Sequence, residues 1–96
     1  MTIDQLQQLQ ADLKAIQELC KTETPEQVEV VWKEINELRE SFKDYDDDED
    51  SETIFITLDN MTWRRWYDDE NNKPTCDFKV ISLDCADLIN TIQNME

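Results

Sequence analysis

The excess of carboxylates is the feature that most constrains how this chain can fold. Twenty-four Asp and Glu residues stand against nine Lys and Arg residues in 96 positions, which gives a formal net charge of −15 at pH 7. Repulsion among like charges opposes compaction, and high net charge with low hydropathy is typical of disordered segments. Hydrophobic residues nevertheless make up 39% of the chain, and they recur at regular spacings. We therefore predict one folded α+β domain over residues 1–96, with modest stability at low salt.

The composition argues against several classes of function. The chain has no His, the commonest general base and metal ligand, and no Gly, on which phosphate-binding loops depend. Cys20, Cys76 and Cys85 form no C-x-x-C pair, which predicts reduced, buried thiols in a cytoplasmic protein. We expect no catalysis, no cofactor and no structural metal site. The negative charge also disfavours binding to nucleic acid or to an anionic membrane.

Two amphipathic helices are predicted in residues 1–43. Apolar residues recur at three- and four-residue spacing from Ile3 to Cys20, and again from Val28 to Phe42, where Trp32 directly follows Val31. Thr2 and Thr24 are suited to cap these helices, because each is followed three positions later by Gln. The short link between the two stripes predicts an antiparallel helical hairpin.

The second half of the chain predicts an acidic loop, a sheet and a final helix. Residues 44–52 are expected to form the loop, and residues 53–96 a three-stranded antiparallel meander followed by a helix. The predicted strands cover residues 53–58, 61–67 and 76–83. Asp59 and Asn60 would form the first turn, and Asp84 would cap the final helix. The predicted order is ααβββα, with one sheet face open to water or to a partner.

The acidic stretch does not fit a calcium-binding loop. Seven of the nine residues from 44 to 52 are acidic and none is basic. In the EF-hand register that starts at Asp44, Glu49 stands where Gly is needed and Phe55 where Glu is needed. A solvated polyanionic loop is the simpler interpretation, and weak binding of Ca²⁺ or Mg²⁺ stays open as an alternative.

The distribution of charge predicts a non-catalytic inhibitor that binds a basic, nucleic-acid-binding protein by mimicking nucleic acid. An extended acidic loop would place seven charges over about 30 Å, roughly 4 Å apart, which is comparable to the phosphates of a single strand. Phage anti-defence proteins directed against CRISPR effectors or restriction enzymes, and nuclease inhibitors, resemble this chain in charge and size. The predicted acidic binding residues are Glu37, Glu40, Asp44, Asp46, Asp47, Asp48, Glu49, Asp50, Glu52, Asp68, Asp69 and Glu70.

One cluster combines aromatic and basic residues, at positions 63–67. Such residues can stack on single-stranded bases, but the neighbouring acids would repel phosphates. The cluster is therefore either part of the core or an interface on the open sheet face. The predicted interface residues are Trp63, Arg65, Trp66 and Tyr67. The alternative function is accordingly an acidic adaptor that binds a protein partner through the helical hairpin or this face, and a homodimer stays open.

Overall fold

The computed structural model describes residues 2–44, 48–70 and 72–95. The elements in chain order are α1 (Ile3–Leu19), α2 (Pro25–Ser41), α3 (Glu49–Thr62), β1 (Arg65–Asp68), β2 (Lys73–Cys76) and α4 (Phe78–Met95). Within the described residues there are thus four helices and one two-stranded antiparallel hairpin. The fold is mostly helical and α+β overall, and the predicted three-stranded meander is wrong.

The two N-terminal helices are present, and their predicted caps are formed. At the start of α1, the Thr2 hydroxyl accepts a hydrogen bond from the Gln5 backbone N–H at 3.2 Å. The Gln5 side chain accepts one from the Thr2 N–H at 2.9 Å, which completes a capping box. Thr24 caps α2, but the Gln27 side chain does not complete a capping box with the Thr24 N–H. Its amide donates to the Leu19 carbonyl at 2.9 Å. That contact joins the end of α1 to the start of α2.

The predicted strand at residues 53–58 is the middle of α3. Alternation of Ile54, Ile56 and Leu58 fits a strand, but only Ile54 and Leu58 are buried, whereas Ile56 is 49% exposed. The buried residues of α3 are Ser51, Ile54, Leu58 and Met61. Spacings of three, four and three place them on one helical face, so burial of that face overrides the strand preference of the β-branched residues.

Residues 49–52 of the predicted acidic loop instead form the first turn of α3. The Asp48 carboxylate accepts backbone N–H groups from Asp50 at 3.1 Å and Ser51 at 3.4 Å. The buried Ser51 hydroxyl donates to the same carboxylate at 3.1 Å. Asp48 is therefore the N-cap, and the acidic residues of the first turn are stabilised by the positive end of the helix dipole. Asp46 and Asp47 lie outside the described residues.

The predicted first turn, third strand and cap of the final helix also differ from the structure. Residues 59 and 60 lie inside α3, and the chain reverses instead between Asp68 and Lys73, where Asn72 adopts a positive φ of 54°. Only Cys76 of the predicted third strand lies in a strand. The Val80 N–H donates to the Asp77 carboxylate at 3.1 Å, so Asp77 caps α4 well before the predicted cap, Asp84.

The hydrophobic core draws on all four helices. α1 packs against α4, α2 packs against α3, and β2 packs against α2. One cluster of buried residues includes Leu13 of α1, Ile35 of α2, Leu58 of α3, Cys85 of α4 and Cys76 of β2. Packing of β2 on α2 brings the paired strands β1 and β2 beside that helix.

Candidate functional site

An open cleft of about 470 Å³ lies where the hairpin, the end of α3 and α2 meet. Its lining residues are Trp32, Arg39, Thr62, Trp63, Trp66, Tyr67 and Pro74. We call this the aromatic cleft. Trp63 is 78% exposed, Trp66 is 53% exposed and Tyr67 is 55% exposed. A cluster of exposed large aromatic residues is typical of an interaction surface rather than of a plain solvated one.

Local structure fixes the backbone on which these aromatic residues sit. Trp63 is the C-cap of α3, one position after the last helical residue. The Arg64 guanidinium donates to Asp84 of α4 at 3.2 Å, which ties the link between α3 and β1 to the body of the protein. Tyr67 pairs with Pro74 across the hairpin, and its hydroxyl donates to the Asn72 side chain at 2.6 Å. The cleft is therefore built on anchored backbone.

The one cation that lines the cleft, among the described side chains, is held by acceptors of its own. The Arg39 guanidinium donates to Asn36 at 2.6 Å, to Glu40 at 2.9 Å and to Asp59 at 3.3 Å. Only 24% of its side chain is exposed. Since two carboxylates face this one guanidinium, this side of the cleft carries no surplus of positive charge.

The described acidic residues of the predicted site fall into two groups. We call the larger group the acidic end, at the C-terminal part of α2 and the start of α3. It consists of Glu37, Glu40, Asp44, Asp48, Glu49, Asp50 and Glu52. The second group, Asp68, Asp69 and Glu70, lies at the hairpin turn. The structure thus divides the predicted carboxylates between two places.

Several of these carboxylates also have local roles. Asp48 caps α3, and the Asp68 carboxylate accepts the Glu70 N–H at 3.1 Å within the hairpin turn. Glu37 lies 3.9 Å from the Lys33 ammonium, and Glu40 is shared between Arg39 and Lys43. The remaining carboxylates of the two groups belong to exposed residues, namely Asp44, Glu49, Asp50, Glu52, Asp69 and Glu70.

Three of the four predicted aromatic and basic residues meet in the cleft. For the fourth, Arg65, the side chain lies outside the described part, and its backbone pairs with Cys76. The sequence analysis did not identify four other lining residues, namely Trp32, Arg39, Thr62 and Pro74. Trp32 directly follows Val31, so the apolar stripe of α2 is wider at that point than a single face requires. That widening was the available signal.

Burial suppresses the ionisation of two of the three cysteines. Cys20, Cys76 and Cys85 are free and buried, as the sequence predicts. Burial raises the pKa of Cys20 to about 11, with additional effects from Cys76 and Glu23. Burial likewise raises the pKa of Cys85 to about 12, with smaller effects from Cys20 and Asp84. These two thiols stay protonated at neutral pH and are poor nucleophiles.

The described part of the chain contains neither a cluster suited to a metal ion nor a helix suited to span a membrane. No group of three or more acidic or cysteine side chains in residues 2–44, 48–70 and 72–95 is arranged to hold a metal ion. None of the helices in this part of the chain combines the length and apolar character needed to cross a bilayer.

Comparisons with known proteins assign no family. No protein-family model matches the sequence, and no curated protein and no solved structure matches the chain.

Proposed function

We propose that this protein is a non-catalytic inhibitor that binds a nucleic-acid-binding protein, as phage anti-defence proteins and nuclease inhibitors do. The acidic end would occupy a cationic groove that otherwise receives phosphates. The observation that carries the proposal is the Asp48 cap, which holds Glu49, Asp50 and Glu52 on the first turn of a helix. A folded helix presents these carboxylates in a fixed arrangement, so less conformational entropy is lost on binding than with a free loop.

The charge density of this turn supports the proposal. A helix rises about 1.5 Å per residue, so the three carboxylates of residues 49–52 occupy about 6 Å of helix axis. That is about 2 Å per charge, close to the value of about 1.7 Å for duplex DNA. The extended-loop estimate of roughly 4 Å per charge no longer applies to these residues. The match is to the linear density of a duplex rather than of a single strand.

The net charge would act over a longer range. A charge of −15 accelerates the encounter with a cationic groove at low salt, and salt screens that attraction beyond about 8 Å at physiological ionic strength. We therefore expect binding that competes with nucleic acid and weakens as the salt concentration rises.

The test compares two triple variants that remove the same number of charges. The first, Glu49→Gln with Asp50→Asn and Glu52→Gln, neutralises the first turn of α3. The matched control, Glu23→Gln with Glu26→Gln and Asp87→Asn, neutralises exposed residues elsewhere. Both are assayed as inhibitors of DNA cleavage by a panel of restriction endonucleases and guide-loaded CRISPR effectors, with circular dichroism to verify folding.

The expected loss follows from the strength of exposed ion pairs. Each is worth about 0.5 kcal/mol, so three lost pairs amount to about 1.5 kcal/mol, or about tenfold in inhibition constant. The control variant should lose much less. Equal losses in the two variants would mean that charge acts without regard to position, and failure of the wild type to inhibit any enzyme of the panel would contradict the proposal.

The exposure of Trp63 favours a second candidate function, an adaptor that binds a protein partner through the aromatic cleft. In that case charge would serve solubility, and aromatic side chains would supply most of the binding energy. Trp63→Ala or Trp66→Ala would then abolish binding to the partner, whereas the triple variant of α3 would have little effect.

A further inference from the structure

The aromatic cleft combines three properties that select a particular kind of ligand. Four aromatic side chains line it, and three of them, Trp63, Trp66 and Tyr67, are more than half exposed. The guanidinium at its side, Arg39, already faces two carboxylates. The cleft is open, so a side chain from another protein can enter it directly. We propose that the aromatic cleft binds an arginine side chain of the partner protein, with the guanidinium stacked on an indole ring.

The electrostatics of the surroundings favour a cation. The face of an aromatic ring carries negative potential and attracts a cation placed above it. The Asp59 carboxylate lies 3.3 Å from Arg39 at one side of the cleft. Asp68 directly follows Tyr67 on β1, and Asp69 and Glu70 continue into the hairpin turn. Stacked bases of a nucleic acid are disfavoured in this place because the same carboxylates repel phosphates.

The shape of the ligand cation also matters. A guanidinium is planar and weakly hydrated, so it can lie flat on an indole while its edges still donate hydrogen bonds to water or to a carboxylate. An ammonium group is compact and strongly hydrated, and it loses more hydration on entering an aromatic surface. The cleft should therefore bind arginine in preference to lysine. The exposed carboxylates of the acidic end should discriminate less between these two cations.

This inference rests on the proposed function, since it takes the partner to be cationic, and it adds where the partner is anchored. The probes are octa-arginine and octa-lysine peptides, which present the same charge on different head groups. Their dissociation constants are measured by calorimetry at low and physiological salt, and tryptophan fluorescence reports contact with the indoles. The informative quantity is the ratio of the two dissociation constants.

A set of variants separates the cleft from the acidic end. Trp63→Leu with Trp66→Leu keeps exposed apolar surface but removes two aromatic faces, whereas Trp63→Phe with Trp66→Phe keeps an aromatic face at each position. Leu83→Ala removes an exposed apolar side chain of α4 that does not line the cleft. The triple variant of α3 described above removes charge and leaves the cleft intact.

In the wild type, the octa-arginine peptide should bind more tightly than the octa-lysine peptide and quench tryptophan fluorescence. The Leu variant should lower the arginine-to-lysine preference by about three- to tenfold, as expected for loss of a cation–π contact. The Phe variant and Leu83→Ala should largely retain the preference. The α3 variant should weaken both peptides and leave their ratio unchanged.

The unfavourable outcomes are distinguishable. If both peptides bind with the expected salt dependence but the Leu variant keeps the wild-type ratio, the cleft is not an arginine site, and the proposed function is untouched. If neither peptide binds to the wild type even at low salt, the proposed function fails, and the arginine site fails with it.

Discussion

The assignment of residues 53–58 to α3 makes a sharp prediction about two isoleucines. Ile54 and Ile56 are two positions apart in a β-branched segment. In a strand they would share one face, and Ala substitution of either would have a similar cost. In a helix they lie about 200° apart around the axis. Ile54 is completely buried, whereas Ile56 is 49% exposed.

The expected costs follow from burial. Ile→Ala at a fully buried site usually costs about 2–5 kcal/mol of unfolding free energy, because apolar contacts are lost and a cavity remains. We expect about 3 kcal/mol for Ile54→Ala. For Ile56→Ala, loss of a half-buried side chain costs about 1 kcal/mol, and the better helix propensity of Ala returns about 0.4 kcal/mol. The two variants should therefore differ by at least about 2 kcal/mol.

The assay is urea denaturation, followed by far-UV circular dichroism at a salt concentration that screens the carboxylates. A lower midpoint with an unchanged slope identifies a loss of stability. Should Ile54→Ala fail to fold, Ile54→Val and Ile56→Val give the same comparison, with about 1 kcal/mol expected for the first and almost none for the second. Equal costs at the two positions would refute the helical assignment.

Three further predictions concern stability. Asp48→Ala should lower the unfolding free energy by about 1 kcal/mol, and Asp48→Asn, which keeps a side-chain acceptor, should lower it less in the same urea titration. Burial raises the pKa of Cys20 from 9.0 to about 11 and that of Cys85 to about 12. The stability that these protonated thiols contribute to the folded state is therefore complete below about pH 9 and is lost as the pH rises towards those values. In that window each thiol should lower the unfolding free energy by about 1.4 kcal/mol per pH unit, and Cys85→Ala should reduce the total decrease. Raising the salt concentration from about 10 mM to about 150 mM should raise the melting temperature, since it screens a net charge of −15, and a flat or falling melting temperature would contradict this.

The two N-terminal helices could be predicted because independent signals agree there. The apolar stripe of α1 has helical spacing, and Thr2 with Gln5 marks its first turn. In α3 the signals conflict. Residues 53–58 are β-branched or apolar, and such a segment fits a strand as well as a helix. A pattern of six residues is too short for its periodicity to distinguish the two. The Asp48 cap and the spacing of Ser51 and Ile54 were the signals that decide for a helix.

The aromatic cleft could be predicted only in part, because it combines residues that are distant in sequence. The exposed aromatic side chains of Trp63, Trp66 and Tyr67 belong to one short segment, so the sequence alone singled out that segment, either as part of the core or as an interface. Trp32 and Pro74 join them only because β2 packs on α2. That contact depends on where the chain reverses after β1 and on the Asp77 cap that starts α4. Neither feature can be predicted from the local sequence around the cluster. Trp32 and Pro74 could therefore be identified as lining residues only from the tertiary structure.

The acidic end and the aromatic cleft would contribute different properties to one interface. Exposed carboxylates attract any cationic groove, and their attraction is additive, long-ranged and sensitive to salt. Such a surface speeds association but distinguishes poorly among basic proteins. A desolvated aromatic contact acts only at short range and requires a matching side chain at one position, so it mainly slows dissociation of the correct partner. If the protein is the proposed inhibitor, it needs the second property as much as the first, because a charge of −15 attracts many basic proteins. Trp63, at the C-cap of α3 and next to Arg64, whose side chain is bonded to Asp84, is placed to supply such a contact.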